Sequence, residues 1–353
     1  MSASPPTQKR ADLVFEGGGV KGIGLAGAYS ALWEDGYQAQ RVAGTSAGAI
    51  TAALVAAGYT GPELEDIVLH QMDFTKFEDP HAFGLPGEIV ELVRTRGLHS
   101  GDYFLSWIAE RLSDRGLTTF GDLRTADDTG VKAREYRLQL IASDLSARSM
   151  LVLPRDAARI GVDPDHLEIA KAVRMSMSIP VFFAPTLCTD ADHRQHTIVD
   201  GGLLSNYPLW LFDCPPGQVP EYPTFGMLLV ASNQSAPLLP DPTPAEQLGP
   251  VTSPVEFGRA LVDTMMEAHD RLYVEQADYA RTIPIPTQGV KTTEFRIPAA
   301  QARDLFDSGH AASTEFLASW DFPRYITRFR TGTPPSRRAQ ILEPPALSPP
   351  PTT

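Results

Sequence analysis

Three short runs in this chain carry residue types suited to moving an acyl group. Gly17-Gly18-Gly19-Val20-Lys21-Gly22 sets unhindered backbone N–H groups ahead of a helix-like segment. Gly44-Thr45-Ser46-Ala47-Gly48 sets a serine between glycines, after a short apolar run and before an alanine-rich one. Asp200-Gly201-Gly202 closes the run Thr197-Ile198-Val199 with an acid and two glycines. A serine on a sharp strand-to-helix turn has the layout of a nucleophile elbow, with glycine where a side chain would clash. Backbone N–H groups at a helix start make a cradle for negative charge. A nucleophile beside such a cradle is the minimum equipment for acyl transfer.

Each run is weak alone. A G-x-S-x-G match arises by chance in a chain rich in Gly and Ala, and an Asp-Gly turn is common. Gly17, Gly19 and Gly22 also fit the dinucleotide pattern G-x-G-x-x-G. That pattern requires an acid at the end of the second strand, to hold a ribose. The second strand here ends in Gly44-Thr45-Ser46, so the dinucleotide reading is set aside. A serine nucleophile needs a base. His269 and His310 follow it in the chain, but both fall in helix-like segments and not on strand-end loops. His193 and His196 stand close before the Asp200 strand. Asp200 is the better candidate, because its glycines leave the carboxylate unobstructed.

Hydrophobic periodicity supplies the elements that would position these residues. Asp12–Phe15 and Arg41–Gly44 read as strands, Ile23–Asp35 and Ala47–Ala57 as helices. This βαβα opening implies a parallel sheet with helices packed on it. Further helices are expected over Pro62–Met72, Glu88–Arg94, Asp102–Leu112, Pro164–Met177, Glu256–Tyr279 and Ala299–Ser319. Strands are expected over Tyr136–Ala142, Met150–Leu153, Thr197–Val199, Gly226–Ala231 and Arg281–Ile285. Residues 1–10 read as a disordered leader, 11–330 as one domain, and 331–353 as a proline-dense disordered tail. Val181-Phe182-Phe183-Ala184-Pro185 and Phe83-Gly84-Leu85-Pro86 are candidate walls or a lid of an apolar cleft, with plain core as the alternative.

Bulk composition narrows the function classes. The 353 residues include 43 acidic and 30 basic ones, for a formal charge of −13, which argues against nucleic acid as the main partner, since phosphate binding needs a basic footprint. The same charge argues against gross attraction to anionic membranes. Cys188 and Cys214 read as spare thiols. Residues 1–11 lack the apolar core of a signal peptide, and the longest apolar stretch, Ala47–Tyr59, is too short to span a bilayer. A cytoplasmic protein, with the option of peripheral membrane association, is expected.

In their order and intervals, the three runs closely resemble the patatin-like phospholipases, relatives of the cytosolic phospholipase A2 catalytic domain. Ser176-Met177-Ser178-Ile179-Pro180 is similar to the block ahead of that family's aspartate. The resemblance covers most of residues 11–325 and is weakest in the C-terminal third. It implies an α/β fold with three layers, α/β/α, around a central, mostly parallel sheet. It implies Ser46 as nucleophile and Asp200 as its partner in a Ser-Asp dyad without histidine. The backbone of Gly17, Gly18 and Gly19 would form the oxyanion hole. It implies no cofactor and no metal. The implied substrate is a phospholipid or related acyl ester at a membrane or micelle surface. A thioesterase or transacylase with the same dyad is an alternative. So is a non-catalytic module whose glycine loops hold a phosphate or nucleotide. Glu16 is a local departure, and an ion pair with Lys21 is a further expectation.

Overall fold

Runs of apolar and β-branched residues become the buried strands. Among the described residues these are β1 (Lys9–Phe15), β2 (Tyr37–Thr45), β3 (Gly97–His99), β4 (Leu138–Asp144), β5 (Ser149–Leu153), β6 (Val181–Phe183), β7 (Thr186–Thr189), β8 (Gln195–Asp200), β9 (Thr224–Val230) and β10 (Thr282–Pro286). The computed structural model describes residues 9–77, 97–126, 135–214, 218–230 and 276–331 except 293, with isolated helical positions between 257 and 265. β10, β9, β1, β2 and β4 lie side by side and parallel. β5, β8 and β7 complete the eight-stranded sheet antiparallel, and β3 pairs with β6 apart from it. β4 and β9 are buried at every position, as strands covered on both faces must be.

One face of the sheet carries helices. α1 (Ile23–Glu34) is buried from Ile23 to Leu32, and α2 (Ala47–Ala56) throughout. Apolar all round, both belong inside the molecule and not on its surface. α3 (Gly61–Asp66), α4 (Asp102–Ser113), α5 (Ile169–Ser176), α6 (Gln276–Tyr279), α7 (Ala299–Ser319) and α8 (Phe322–Phe329) are the other described helices. Leu25, Leu54, Val173 and Leu305 from these helices meet Leu13, Phe15, Leu140 and Met227 of the sheet in the main core. Val14, Ala43, Ile141, Val152 and Leu228 point to the other face, where Tyr207, Leu209, Leu211 and Phe212 cover them. The fold class is as expected, α/β with a central, mostly parallel sheet flanked by helices.

Several boundaries differ from the sequence reading, for physical reasons. The helix expected over Pro62–Met72 starts on a capping box, Thr60 with Glu63, and widens into a π-type turn at Ile67–Gln71. The helix expected over Pro164–Met177 is interrupted. Leu167 and Glu168 are extended, because Phe120 N–H donates to the Leu167 carbonyl and Ile169 N–H to the Thr118 carbonyl. Strands β3, β6 and β7 were not expected, being short and weakly patterned. β1 begins at Lys9, inside the expected leader, because that residue pairs with Tyr37. The expected helix Glu88–Arg94, the Phe83–Pro86 segment, most of Glu256–Tyr279 and the tail beyond 331 lie outside the described residues.

β4 has the arrangement on which the site depends. Leu140 pairs with Gly44 of β2 and Leu153 of β5, so β2 and β5 occupy opposite edges. Ala142 pairs with Leu151 of β5 and Asp200 of β8, so β8 also lies opposite β5. β2 and β8 therefore share one edge of β4, running towards each other. β2 ends with Thr45 opposite Ile141, and β8 ends with Asp200 opposite Ala142.

A histidine clamp fixes β8 there. His196 Nδ1 lies 2.6 Å from Asp144 Oδ2 of β4, and its Nε2 lies 3.3 Å from Asp190 Oδ2 of the β7–β8 turn. Hydrogen bonding to Asp144, then to Asp190, raises the His196 pKa against the opposing effect of desolvation. A raised folded-state pKa means that the charged clamp contributes its full stability below the unfolded histidine pKa. That contribution is lost as pH rises through the folded pKa. The unfolding free energy of wild type minus that of His196→Gln should therefore be constant at acid pH and shrink above about pH 6.5. Urea melts from about pH 5 to 9 check this, and a pH-independent gap would refute the charged clamp.

Candidate active site

The head-on meeting of β2 and β8 brings Ser46 and Asp200 together. Ser46 is the residue after β2 and the N-cap of α2. Its backbone is in the sparsely populated region at φ 53°, ψ −125°, a strain of order 1–3 kcal/mol that a sharp strand-to-helix turn imposes. Gly48 permits this turn, because a Cβ there would sit 2.3 Å from the Phe15 carbonyl oxygen. Ser46 and Asp200 are both fully buried. Ser46 Oγ and Asp200 Oδ2 are each buried without a hydrogen-bond partner. Such orphaned polar atoms are rare in folded proteins and call for an explanation. Asp200 Oδ1 accepts a bond from Gly202 N–H at 2.7 Å. Burial pushes the Asp200 pKa up to about 7, while the nearby Ser46 hydroxyl and the Gly202 N–H pull against it.

The Ser176–Pro180 block holds both residues by their backbones. Ser46 N–H donates to Ser176 Oγ at 3.0 Å, and Asp200 N–H donates to the Ser178 carbonyl at 2.9 Å. Ser178 is fixed in turn by Arg174, whose Nη1 donates to Ser178 Oγ at 2.7 Å. Arg174 also donates to the carbonyls of Ser100 and Ala184 and lies over the Phe183 ring. Phe182 and Phe183 are buried, and Phe182 packs on Phe295, so both serve as core here.

The glycine loop after β1 lies against Ser46. A Cβ on Gly17 would come within 3.0 Å of Ser46 Cβ and 2.1 Å of Asn206 Oδ1. Gly17 N–H is already committed, donating to the Asn206 carbonyl at 3.0 Å. Of the three glycines expected to form the oxyanion hole, Gly17 thus has its N–H engaged, while those of Gly18 and Gly19 are without a partner among the described residues. Asn206 Nδ2 also donates to the Gly17 carbonyl at 3.1 Å and to Glu16 Oε1 at 3.4 Å. Glu16 Oε2 accepts the Leu229 N–H, tying the loop to β9. No ion pair joins Glu16 to Lys21, because the Glu16 carboxylate is turned inward to Asn206 and Leu229. Asn206 was missed in the sequence. Its type and its place after Asp200 carry no signal that its amide would be buried against the glycine loop.

No described histidine is hydrogen-bonded to Ser46 or Asp200. His196 precedes Asp200 by four residues on one strand, roughly 13 Å away at strand spacing. His310 Nε2 lies 2.9 Å from Glu34 Oε2, at the end of α1 far from the glycine loop. His166 pairs with Asp163 on the surface. His269 lies outside the described residues. Among the described residues no group of three or more His, Cys, Asp or Glu side chains is arranged to hold a metal, and no helix is long and apolar enough to cross a membrane.

An α/β sheet with a serine elbow at the carboxyl ends of its strands, beside a glycine loop, defines a hydrolase-like class. The family model "Patatin-like phospholipase" matches residues 13–213. An uncharacterized protein of Bacillus subtilis, YqhO, is 38% identical over 314 residues, covering 88% of this chain and 99% of YqhO. An uncharacterized mimivirus protein, R571 of Acanthamoeba polyphaga mimivirus, is 24% identical over 208 residues, 57% of this chain and 61% of R571. In three dimensions the chain is similar to VipD from Legionella pneumophila, with TM-score 0.50 and 18% identity, over 90% of this chain and 68% of that one. The chain belongs to the patatin-like phospholipase family, and that membership supports lipid hydrolase activity.

Asn206 generates a test. Asn206→Ala should speed amide exchange at Gly17 by more than about tenfold, since the carbonyl and amide contacts loosen together. It should lower kcat for ester turnover by about 10- to 100-fold with KM little changed, short of the loss of an oxyanion donor itself. Hydrogen exchange with steady-state kinetics measures both, and a folded variant with wild-type kcat would show that Asn206 does not set the loop.

Proposed function

We propose that the protein is a serine-aspartate lipid acyl hydrolase that cleaves acyl esters of phospholipids or related lipids through an acyl-enzyme on Ser46. One observation carries the reading: Ser46 Oγ and Asp200 Oδ2 are two adjoining, buried polar atoms that no other group satisfies. Ser46 Oγ attacks the ester carbonyl while Asp200 Oδ2 takes its proton. The oxyanion is held by the N–H groups of Gly18 and Gly19, with the start of α1 adding its dipole. Collapse of the intermediate expels the alcohol, which takes the proton back from Asp200. Water then attacks the acyl-serine and gives its proton to Asp200, the bond between the acyl carbon and Ser46 Oγ breaks with Ser46 Oγ taking that proton back, and the carboxylic product leaves.

The raised pKa of Asp200 supports the role of base. A carboxylate with an ordinary pKa is a weak base at neutral pH, whereas one near 7 is matched to the task. Family membership supports a lipid ester as substrate, met at a membrane or micelle surface. A thioesterase or transacylase would share every step as far as the acyl-enzyme, and a panel of ester, thioester and acceptor substrates separates them.

The tests follow from the protonation states. Ser46→Ala and Asp200→Asn should each lower kcat by about a thousandfold or more while the fold persists, since they remove the nucleophile and the proton acceptor. Asp200 acts only when ionised, so kcat/KM should rise with pH and level off above about pH 7, falling about tenfold per unit below it. A fluorophosphonate probe should label wild type and not Ser46→Ala. Failure to label wild type would favour a non-catalytic phosphate-binding module, and a flat pH profile down to about pH 5 would exclude a base titrating near 7.

A further inference from the structure

The opposite end of the sheet holds an open cavity of about 890 Å³. Lys9 at the start of β1, Tyr37 at the start of β2, and Trp33 and Val55 at the ends of α1 and α2 line it. β1 separates it from the glycine loop by roughly 20 Å of strand. Its volume is in the range of small-molecule sites.

Arg137 reaches into this cavity and has no carboxylate partner among the described residues. Its Nη2 donates to the Ala39 carbonyl at 3.2 Å, and among the described residues its Nε is buried without a partner and its Nη1 makes no hydrogen bond. Burial lowers its pKa, the mark of a cation held out of water without full compensation. The carbonyl ends of α1 and α2 offset part of that charge, but neither helix accepts a hydrogen bond from the guanidinium. Lys9 and Asp35, also in the cavity wall, neutralise each other at 2.7 Å. Among the described residues the cavity thus carries one unmatched positive charge, in a chain of net charge −13.

The remaining wall is mixed: Gln38 and Gln40 line it on the β2 side, and Trp33, Tyr37 and Tyr29 give it an aromatic side. Trp33 is 40% exposed. Tyr29 is buried with its hydroxyl spent on the Tyr59 carbonyl. A single cation favours a single negative charge, and the guanidinium edge favours a planar, two-oxygen head. A dianion would leave one charge unmatched beside Asp35. The aromatic wall favours an apolar tail.

We propose that this cavity binds a monoanionic amphipathic carboxylate, with its head on the Nη1–Nη2 edge of Arg137 and its tail along Trp33 and Tyr37. The class includes the carboxylic product of the proposed hydrolysis, but the site is argued from the cavity alone.

Octanoate is the probe, with octan-1-ol as its uncharged counterpart. Calorimetric titration should show octanoate binding to wild type at least about tenfold more tightly than octan-1-ol, as a charge-assisted contact requires. Arg137→Gln should weaken octanoate by about tenfold or more, and Arg137→Lys by less, because it keeps the charge and loses the planar edge. Arg137→Gln should also keep or raise the urea midpoint, because it removes an uncompensated cation, whereas a purely structural arginine would lower it. Trp33→Ala, at the exposed wall, should weaken binding several-fold, and it decides the matter if Arg137→Gln does not fold. Absence of octanoate binding to wild type, equal binding of octan-1-ol, or unchanged binding in the folded variants overturns the proposal. Hydrolysis is not read in this experiment, so its failure is distinct from failure of the Ser46 mechanism.

Discussion

One edge of β4 cannot hold two strands at the same height. β2 climbs that edge and β8 descends it, and their last paired residues fall opposite Ile141 and Ala142. Neither can continue without colliding with the other, so each must leave the sheet there. β2 leaves through Ser46 into α2, and β8 leaves through Asp200 into the turn Gly201–Leu203. A one-residue slip in either ladder would turn the side chain to the other face of the sheet. Two ladder registers therefore set a side-chain meeting that no local interaction specifies.

The rest of the site consists of devices that keep this junction dry and still. Ser176 and Ser178, at the end of α5, take up the N–H groups of the two junction residues. Asn206 does the same for the glycine loop, spending its backbone carbonyl and its amide on Gly17 and Glu16. Burial of Asp200 then has an electrostatic consequence, since a carboxylate cut off from water holds its proton more tightly. The same dryness strengthens any interaction with a charge that forms there.

α1 and α2 run between the two ends of the sheet. Each begins at the glycine loop or at Ser46, where helix N-termini favour negative charge, and ends at the Arg137 cavity, where helix C-termini favour positive charge. The backbone polarity of the fold thus matches an anion-stabilising end to a cation-holding one. Both helices are buried nearly all round, so neither end can be reshaped without repacking the core.

Much of this was legible along the chain. The strand-turn-helix around Ser46, the glycine loop and the buried strands rest on near-neighbour physics: glycine where backbones must approach, apolar runs where strands are covered, a Pro or an Asp where turns begin. The order of the three motifs also sufficed to indicate the family. What the sequence left open depends on partners distant along the chain. β8 enters the sheet antiparallel, which no pattern in Gln195–Asp200 announces. His196 is removed from the chemistry by Asp144 and Asp190, Gly17 loses its free N–H to Asn206, and Glu16 turns from Lys21 towards Leu229. Nothing in the residues around Arg137 signals that the starts of β1 and β2 will close a cavity around it. Hydrophobic patterning tells which face of an element is buried, but not which polar group it will find there. That is decided by strand register and layer packing, and so by the tertiary structure alone.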